Sequence, residues 1–305
     1  MKIGYGTIQG FTHRNLEYNN QDFVLVSENI GYNIGLVADG CGSGSNSEVG
    51  AQLGLKYLLR RISEQINSDW KLNLKEDLQN YSKQLAKLHS DNPKAFIKDF
   101  LLYTLLGFIE KDNKLTIFSF GDGVIIIDDQ INVINQNNRP KYVNNELIGN
   151  ESGAFNYKEL SLNKQTIIIG SDGVEDFIDG INSGQIEEYE NLEQFIGDEN
   201  NFSNPIHIPK LLKKYSRKGI LKDDCTLIIM LEGTITLPEK LLKNNDRHCL
   251  AEEVRKLIDS IIHPQIQSSI EDILNVRVVD FLSDTTIEQN MTGAIAIFEF
   301  ESKDI

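Results

Sequence analysis

The sequence predicts an α+β fold of packed sheets with helices outside them. Runs rich in apolar, β-branched and aromatic residues, of strand length, recur along the chain: Ile34-Gly35-Leu36-Val37-Ala38, Leu115-Thr116-Ile117-Phe118-Ser119-Phe120 and Thr166-Ile167-Ile168-Ile169. Segments of helical period stand between groups of strands and do not alternate strictly with single strands, which argues against a doubly wound sheet. The 305 residues suffice for one large domain, or one with a small appendage, and carry no internal repeat or low-complexity linker.

Ile3 to Gln9, Asp22 to Ser27 and Tyr32 to Ala38 read as the opening strands. Val49, Leu53, Tyr57, Leu58 and Ile62 then recur at helical spacing, so residues 48–63 form an amphipathic helix with Ser47 as candidate N-cap. A weaker helix spans Leu74 to Leu88. Asn92-Pro93 opens a second long helix, with Phe96, Phe100, Tyr103, Leu106 and Phe108 as its apolar positions and proline in its first turn. Leu115 to Phe120, Val124 to Ile127, Ile131 to Ile134 and Thr166 to Gly170 return to strands. The polar, Asn-rich stretch from Ile181 to Ser203 reads as a loop with little core. A helix from Ile208 to Arg217 leads to a strand from Leu227 to Leu231.

From about Thr236 the pattern changes. A short helix is expected over Pro238 to Leu242, and a longer one over Leu250 to Ile262 that breaks at Pro264 and resumes from Gln265 to Leu274. Strands follow at Val276 to Leu282 and Ala294 to Phe300. The domain boundary therefore falls between 1–233 and 234–305.

The formal charge of −15, from 30 basic and 45 acidic residues, argues against a nucleic-acid partner, whose phosphates need compensating Lys and Arg. It argues equally against adhesion to anionic lipid. Three cysteines without paired spacing, Cys41, Cys225 and Cys249, point to a reducing compartment. The longest apolar segment of helical character, Phe100 to Ile109, is too short to span a bilayer, and the N-terminus has no signal-peptide run, so a soluble cytoplasmic protein is expected.

Acidic and glycine-rich motifs recur in order: Asn20-Gln21-Asp22, Ala38-Asp39-Gly40, Phe120-Gly121-Asp122-Gly123, Gly170-Ser171-Asp172-Gly173 and Asp223-Asp224-Cys225-Thr226. Any one of them alone reads as an ordinary turn. Three end an apolar strand, which places carboxylates where the backbone turns. Converging carboxylates repel unless a cation joins them, and oxygen-only ligands favour hard cations such as Mg²⁺ or Mn²⁺. A cluster of such ions suits phosphoester hydrolysis.

In order and spacing these motifs resemble the metal-dependent protein serine/threonine phosphatases of type 2C, in their bacterial branch, over roughly the first 230 residues. The resemblance implies a four-layer αββα sandwich, its central sheets flanked by helix pairs, with two Mg²⁺ or Mn²⁺ ions at one end. It implies that Asp39 bridges both ions and that the carbonyl of Gly40 binds one of them. Asp172 and Asp223 complete the other, with Asp22 in support. Asp122 resembles the ligand of a weaker third ion. It further implies a phosphorylated protein as substrate and a Ser/Thr kinase as opposing partner. Many members carry a phosphate-binding Arg five residues before the first motif's Asp, where this chain has Glu17. His13 and Arg14, in Gly10-Phe11-Thr12-His13-Arg14, are the candidates to replace it, the alternative for His13 being a structural role. Cys41 and Cys225 adjoin the motifs, either as small buried residues or as redox groups. The last 55 or so residues are similar to part of a small bacterial domain of poorly defined function, or else form an α/β cap. The rival to an enzyme is a pseudophosphatase that binds a signalling partner.

Overall fold

Two five-stranded antiparallel sheets build the first 231 residues. One has the order β1 (Lys2–Ile8), β10 (Cys225–Leu231), β9 (Thr166–Gly170), β6 (Gly123–Ile127), β7 (Gln130–Ile134). The other runs β2 (Asp22–Asn29), β3 (Tyr32–Asp39), β4 (Leu105–Lys111), β5 (Lys114–Phe120), β8 (Asn156–Ser161). The computed structural model describes residues 2–29, 31–112, 114–128, 130–136, 139–161 and 166–231, then 250, 253, 254, 256, 257, 260, 263, 264, 267, 268, 270, 271, 277–286 and 291–299. By its internal contacts the chain divides into two compact units, Met1–Leu231 and Glu232–Ile305.

Side-chain alternation sorts each strand between two cores. Val37, Phe108 and Ile117 of one sheet meet Ile125, Ile169 and Ile228 of the other in the space between them. The neighbouring residues point outward. Ile168, Leu227 and Ile229 pack under α5 (Val174–Asn182) and α8 (His207–Arg217). Ile34, Leu36 and Ala38 pack under α2 (Glu48–Gln65) and α3 (Leu74–His89). The result is the four-layer αββα sandwich. Strands covered on both faces need apolar residues at every position, which is why Ile167-Ile168-Ile169 is continuous and does not alternate.

Two expectations fail in this unit. The helix opened by Asn92, whose Oδ1 accepts from the Ala95 N–H at 3.3 Å, ends at Phe100. This α4 (Pro93–Phe100) is followed by a strand, because Leu106 and Phe108 belong to β4, paired between β3 and β5. A strand buried on both faces has no period of its own, so Leu106 and Phe108 fell by chance in line with the apolar positions of the helix before it. The stretch from Ile181 to Ser203 is not a coreless loop either. It holds α6 (Leu192–Gly197) and α7 (Asn200–Ser203), and it buries Ile181, Ile186, Tyr189, Phe195 and Ile196. Its anchors are few but each is fully used, and Asn191 Oδ1 caps α6 by accepting from the Gln194 N–H at 2.9 Å.

Sequence reading also passed over α1 (Phe11–Asn15), α5 and the exposed edge strand β8. Ser47 precedes α2 but makes no side-chain cap bond. In the smaller unit, β11 (Arg277–Thr286) and β12 (Met291–Glu299) form an antiparallel pair. The described residues from 250 to 271 are helical, Pro264 among them, so the expected break does not fall there. Pro238 to Leu242 and Cys249 lie outside the described residues.

Phe195 tests the reassigned stretch. It is fully buried, with its ring edge-on to Phe177 at 5.0 Å and to Tyr189 at 5.4 Å. Phe195→Ala is expected to cost about 3–5 kcal/mol in urea unfolding. A loss within about 0.5 kcal/mol, the size of a surface change, would restore the loop reading.

Candidate active site

Antiparallel order brings the acidic motifs to one end of the sandwich. β2 begins where β3 ends, so Asp22 pairs directly with Asp39 across the ladder. The chain beyond is tied down by Gly40 N–H to Gln21 O at 3.1 Å and Thr104 N–H to Asp39 O at 2.8 Å. In the other sheet β9 ends at Gly170, opposite Leu227 of β10 and Val124 of β6. Asp172 therefore follows one strand, while Asp223 and Asp122 precede the other two. Close backbone approach explains the glycines around them. A Cβ on Gly173 would lie 2.0 Å from the Asp224 carbonyl oxygen, and one on Gly10 would lie 2.2 Å from the carbonyl carbon of Asp223.

The pKa values of the carboxyl groups so gathered are raised. Burial is the first cause for each of Asp22, Asp39, Asp122 and Asp172. For Asp39 the next causes are the charges of Asp22, Asp172, Asp223 and Asp122 in turn. Asp172 is pushed up to about 7 by burial and then by Asp223 and Asp122. Asp22 is well above the usual carboxylate range, although the Ser171 hydroxyl donates to its Oδ2 at 2.6 Å and pulls it back. The remaining oxygen of Asp22 and the Oδ1 of Asp122 are buried with no hydrogen-bond partner among the described residues. Orphaned buried carboxylate oxygens with no neutralising base fit a hard divalent cation, which supplies both the missing charge and the missing ligand partner.

The adjacent acids Asp223 and Asp224 differ in surroundings. The Asp223 side chain is 56 % exposed and that of Asp224 only 3 %. Asp224 accepts the Gly10 N–H at 2.7 Å on Oδ1 and the Gln21 N–H at 2.6 Å on Oδ2. His13 Nδ1 lies 2.9 Å from Oδ2 of Asp224 and 3.9 Å from Oδ1 of Asp223. That pairing, Asp224 first, raises the His13 pKa against its partial burial. Arg14 turns toward α8, donating to Ser216 Oγ with its guanidinium 6.0 Å from the Phe11 ring centre. Of the two residues considered for substrate phosphate, His13 thus stands beside the carboxylates and Arg14 is engaged at a helix.

The structure adds supporting residues that sequence reading did not single out. Asn20 donates to Thr7 Oγ1 at 2.8 Å and accepts the Asp22 N–H at 3.1 Å. Thr226 donates through its hydroxyl to the same Thr7 oxygen at 2.6 Å and through its N–H to Ser171 Oγ at 3.1 Å. Asn20, Ser171 and Thr226 sit inside the motifs, so their signal was present. Thr7 lies in β1 with nothing in the sequence to mark it. Cys41 and Cys225 are both buried free thiols, and burial raises the Cys225 thiol well above its usual range.

Comparison with known proteins agrees with this arrangement. Residues 9–214 match the family model for protein phosphatase 2C. Residues 219–300 match a second model, described as Na⁺-translocating membrane potential-generating system (MpsC). Among curated proteins none matches in sequence. Similar solved structures include a bacterial serine phosphatase, at 17 % identity and TM-score 0.52 over 76 % of this chain and 98 % of that one. The serine/threonine phosphatase of S. agalactiae is 14 % identical, with TM-score 0.51 over 76 % and 99 % of the two chains. The catalytic domain of the serine/threonine phosphatase PstP, in complex with two manganese ions, is 15 % identical, with TM-score 0.50 over 75 % and 96 %. The likeness of fold, the order of the motifs and a family match spanning most of the chain lead to one conclusion: this chain belongs to the protein phosphatase 2C family.

Proposed function

We propose that the chain hydrolyses phosphoserine and phosphothreonine on proteins, using two Mg²⁺ or Mn²⁺ ions held at the end of the sandwich. The observation that carries this reading is the set of mutually repelling, part-orphaned carboxylates. Asp39 and the carbonyl of Gly40 are its central ligands, with Asp172 and Asp223. Asp22 is the supporting acid, and Asp122 is the candidate for a third ion. PstP, of the same fold, was solved with two manganese ions, which supports the number. Such cations, when bound, act as Lewis acids and lower the pKa of water.

The protein's own part is to hold these carboxyl groups in place. Backbone ladders fix Asp22 opposite Asp39. Ser171 locks one oxygen of Asp22 and leaves the other free to bind. Asp224 anchors the Asp223 loop to the segments at Gly10 and Gln21. His13, held beside Asp223 with a raised pKa, is the better placed of the two candidates for the phosphate of the substrate. A kinase that makes the substrate, and a cytoplasmic location consistent with two buried free thiols, complete the proposal. No helix among the described residues is long and apolar enough to cross a membrane. Residues 234–305 are proposed as a separate domain, apart from the catalytic 1–233.

The direct test is turnover of p-nitrophenyl phosphate and a phosphothreonine peptide with Mn²⁺, with Mg²⁺ and with chelator. Metal-dependent hydrolysis is expected, and its absence under all conditions would leave the pseudophosphatase.

Asp223→Asn is expected to abolish turnover. Asp224→Asn is expected to keep turnover per folded molecule but to lose about 1–3 kcal/mol of stability, since one of two buried N–H donors loses its acceptor. Thermal unfolding and kcat measured on the same samples check this, and the reverse pattern would shift the ligand register by one residue.

The raised carboxyl pKa values also fix a pH dependence. Folded, these groups hold protons that the unfolded chain has released, so metal-free stability is greatest at low pH within the native range. It falls as pH rises from the ordinary value of 3.8 through the folded value, about 7 for Asp172. In chelator, Tm at pH 7.5 should lie below Tm at pH 5 by at least about 2–4 °C, the equivalent of roughly 1 kcal/mol in a domain of this size. Saturating Mg²⁺ or Mn²⁺ should abolish most of that difference, and a slope unaffected by metal would place the binding site elsewhere.

A further inference from the structure

A cleft of about 430 Å³ opens beside the carboxylate cluster and carries the opposite charge. Lys98 at the end of α4 lines it, with Arg139 and Lys141 from the segment after β7. Glu151 is the one carboxylate among the described lining residues. Lys141 Nζ is 3.5 Å from Glu151 Oε2, with both side chains well exposed, so the pair is a weak one. Lys98 and Arg139 have no carboxylate partner among the described residues. In a chain of net charge −15, a wall of three cations runs against the character of the surface as a whole.

The cleft adjoins the candidate active site. Cys41, in its lining, follows Gly40 directly in sequence. Tyr142, also in the lining, feels the charges of Asp39 and Asp122 after the larger effects of burial and of the neighbouring Cys41. The cleft is within reach of the residues that flank a phosphoresidue at Asp39, since an extended chain advances about 3.3 Å per residue. The carboxylate cluster repels an anionic substrate, and cations placed next to it offset that repulsion.

We propose that this cleft is a specificity subsite for acidic residues flanking the phosphoserine or phosphothreonine, an inference that rests on the phosphatase reading above. Lys98 and Arg139 are its cations without a carboxylate partner among the described residues, and Lys141 exchanges Glu151 for the substrate.

The experiment compares two phosphothreonine peptides that differ only in carrying three flanking Glu or three flanking Gln. The ratio of their kcat/KM values is measured within each protein, so a general loss of activity cancels. The wild-type chain is expected to favour the Glu peptide about tenfold at low salt, the size that a few exposed ion pairs give together, and less as salt rises. In the Lys98→Gln, Arg139→Gln double variant the ratio should approach one, with KM of the Glu peptide changing more than kcat. A wild-type ratio near one, or a ratio unchanged in the double variant, overturns the proposal. If neither peptide nor p-nitrophenyl phosphate is hydrolysed, the phosphatase reading fails. The cleft is then judged by fluorescence anisotropy of the two labelled peptides. Tighter binding of the Glu peptide that is lost in the double variant sustains it, and equal affinities overturn it.

Discussion

Repulsion between like charges is the constraint on which this structure turns. Burial first lifts the carboxyl groups of Asp22, Asp39, Asp122 and Asp172 above the usual range, and like charges add to it: Asp22, Asp172, Asp223 and Asp122 at Asp39, and Asp223 and Asp122 at Asp172. Left to a flexible chain, such groups would separate. The antiparallel ladders prevent this, because the Asp22–Asp39 pairing is also the last rung of a strand pair whose other rungs bury Leu36 and Val37 and half-bury Val24 and Leu25. Each carboxylate is thus carried by a strand end that the apolar layers hold in place. The energy that assembles the site comes from burial in those layers, and the fold yields some of it to electrostatic strain that a cation relieves.

The same constraint explains which parts of the molecule could be read from the sequence. Asp-Gly after an apolar run singled out Asp39, Asp122 and Asp172, because a carboxylate at a strand end needs both the strand and the glycine that lets loops approach, while Asp22 and Asp223 stand in motifs that lead into a strand. Strands with both faces covered were equally plain where they stood alone, as in Thr166–Gly170. They were misread where another element's spacing overlapped theirs, as in Leu105–Lys111, whose unbroken apolar pattern carries no period to separate strand from helix. The stretch around Phe195 was missed because composition reports the average of a segment, whereas packing depends on a few positions. Five apolar anchors among many polar residues were enough to bury it against α5 and α8. The hydrogen bonds behind the site were illegible for another reason. Thr7 receives Asn20 and Thr226 from opposite ends of the unit, a meeting that only the register of β1 against β10 creates.

The register also accounts for a departure from the family pattern. Where the last motif of the type 2C phosphatases reads Asp-Asn, this chain has Asp223-Asp224. Both oxygens of Asp224 accept backbone N–H groups, from Gly10 on one side and Gln21 on the other. An asparagine offers one oxygen and one NH₂, so in this geometry it would set a donor against a donor. A carboxylate satisfies both segments, but it adds another buried charge to a site already crowded with them. His13 stands 2.9 Å from that charge and carries a raised pKa because of it. Carboxylate and imidazole are therefore one substitution in physical terms: the acid ties three segments together, and the base keeps the added charge from worsening the repulsion nearby. On this argument His13→Ala and Asp224→Asn should be far from additive. Once Asp224 has lost its charge, removing His13 costs little, whereas in the wild-type chain it leaves a buried carboxylate without its base.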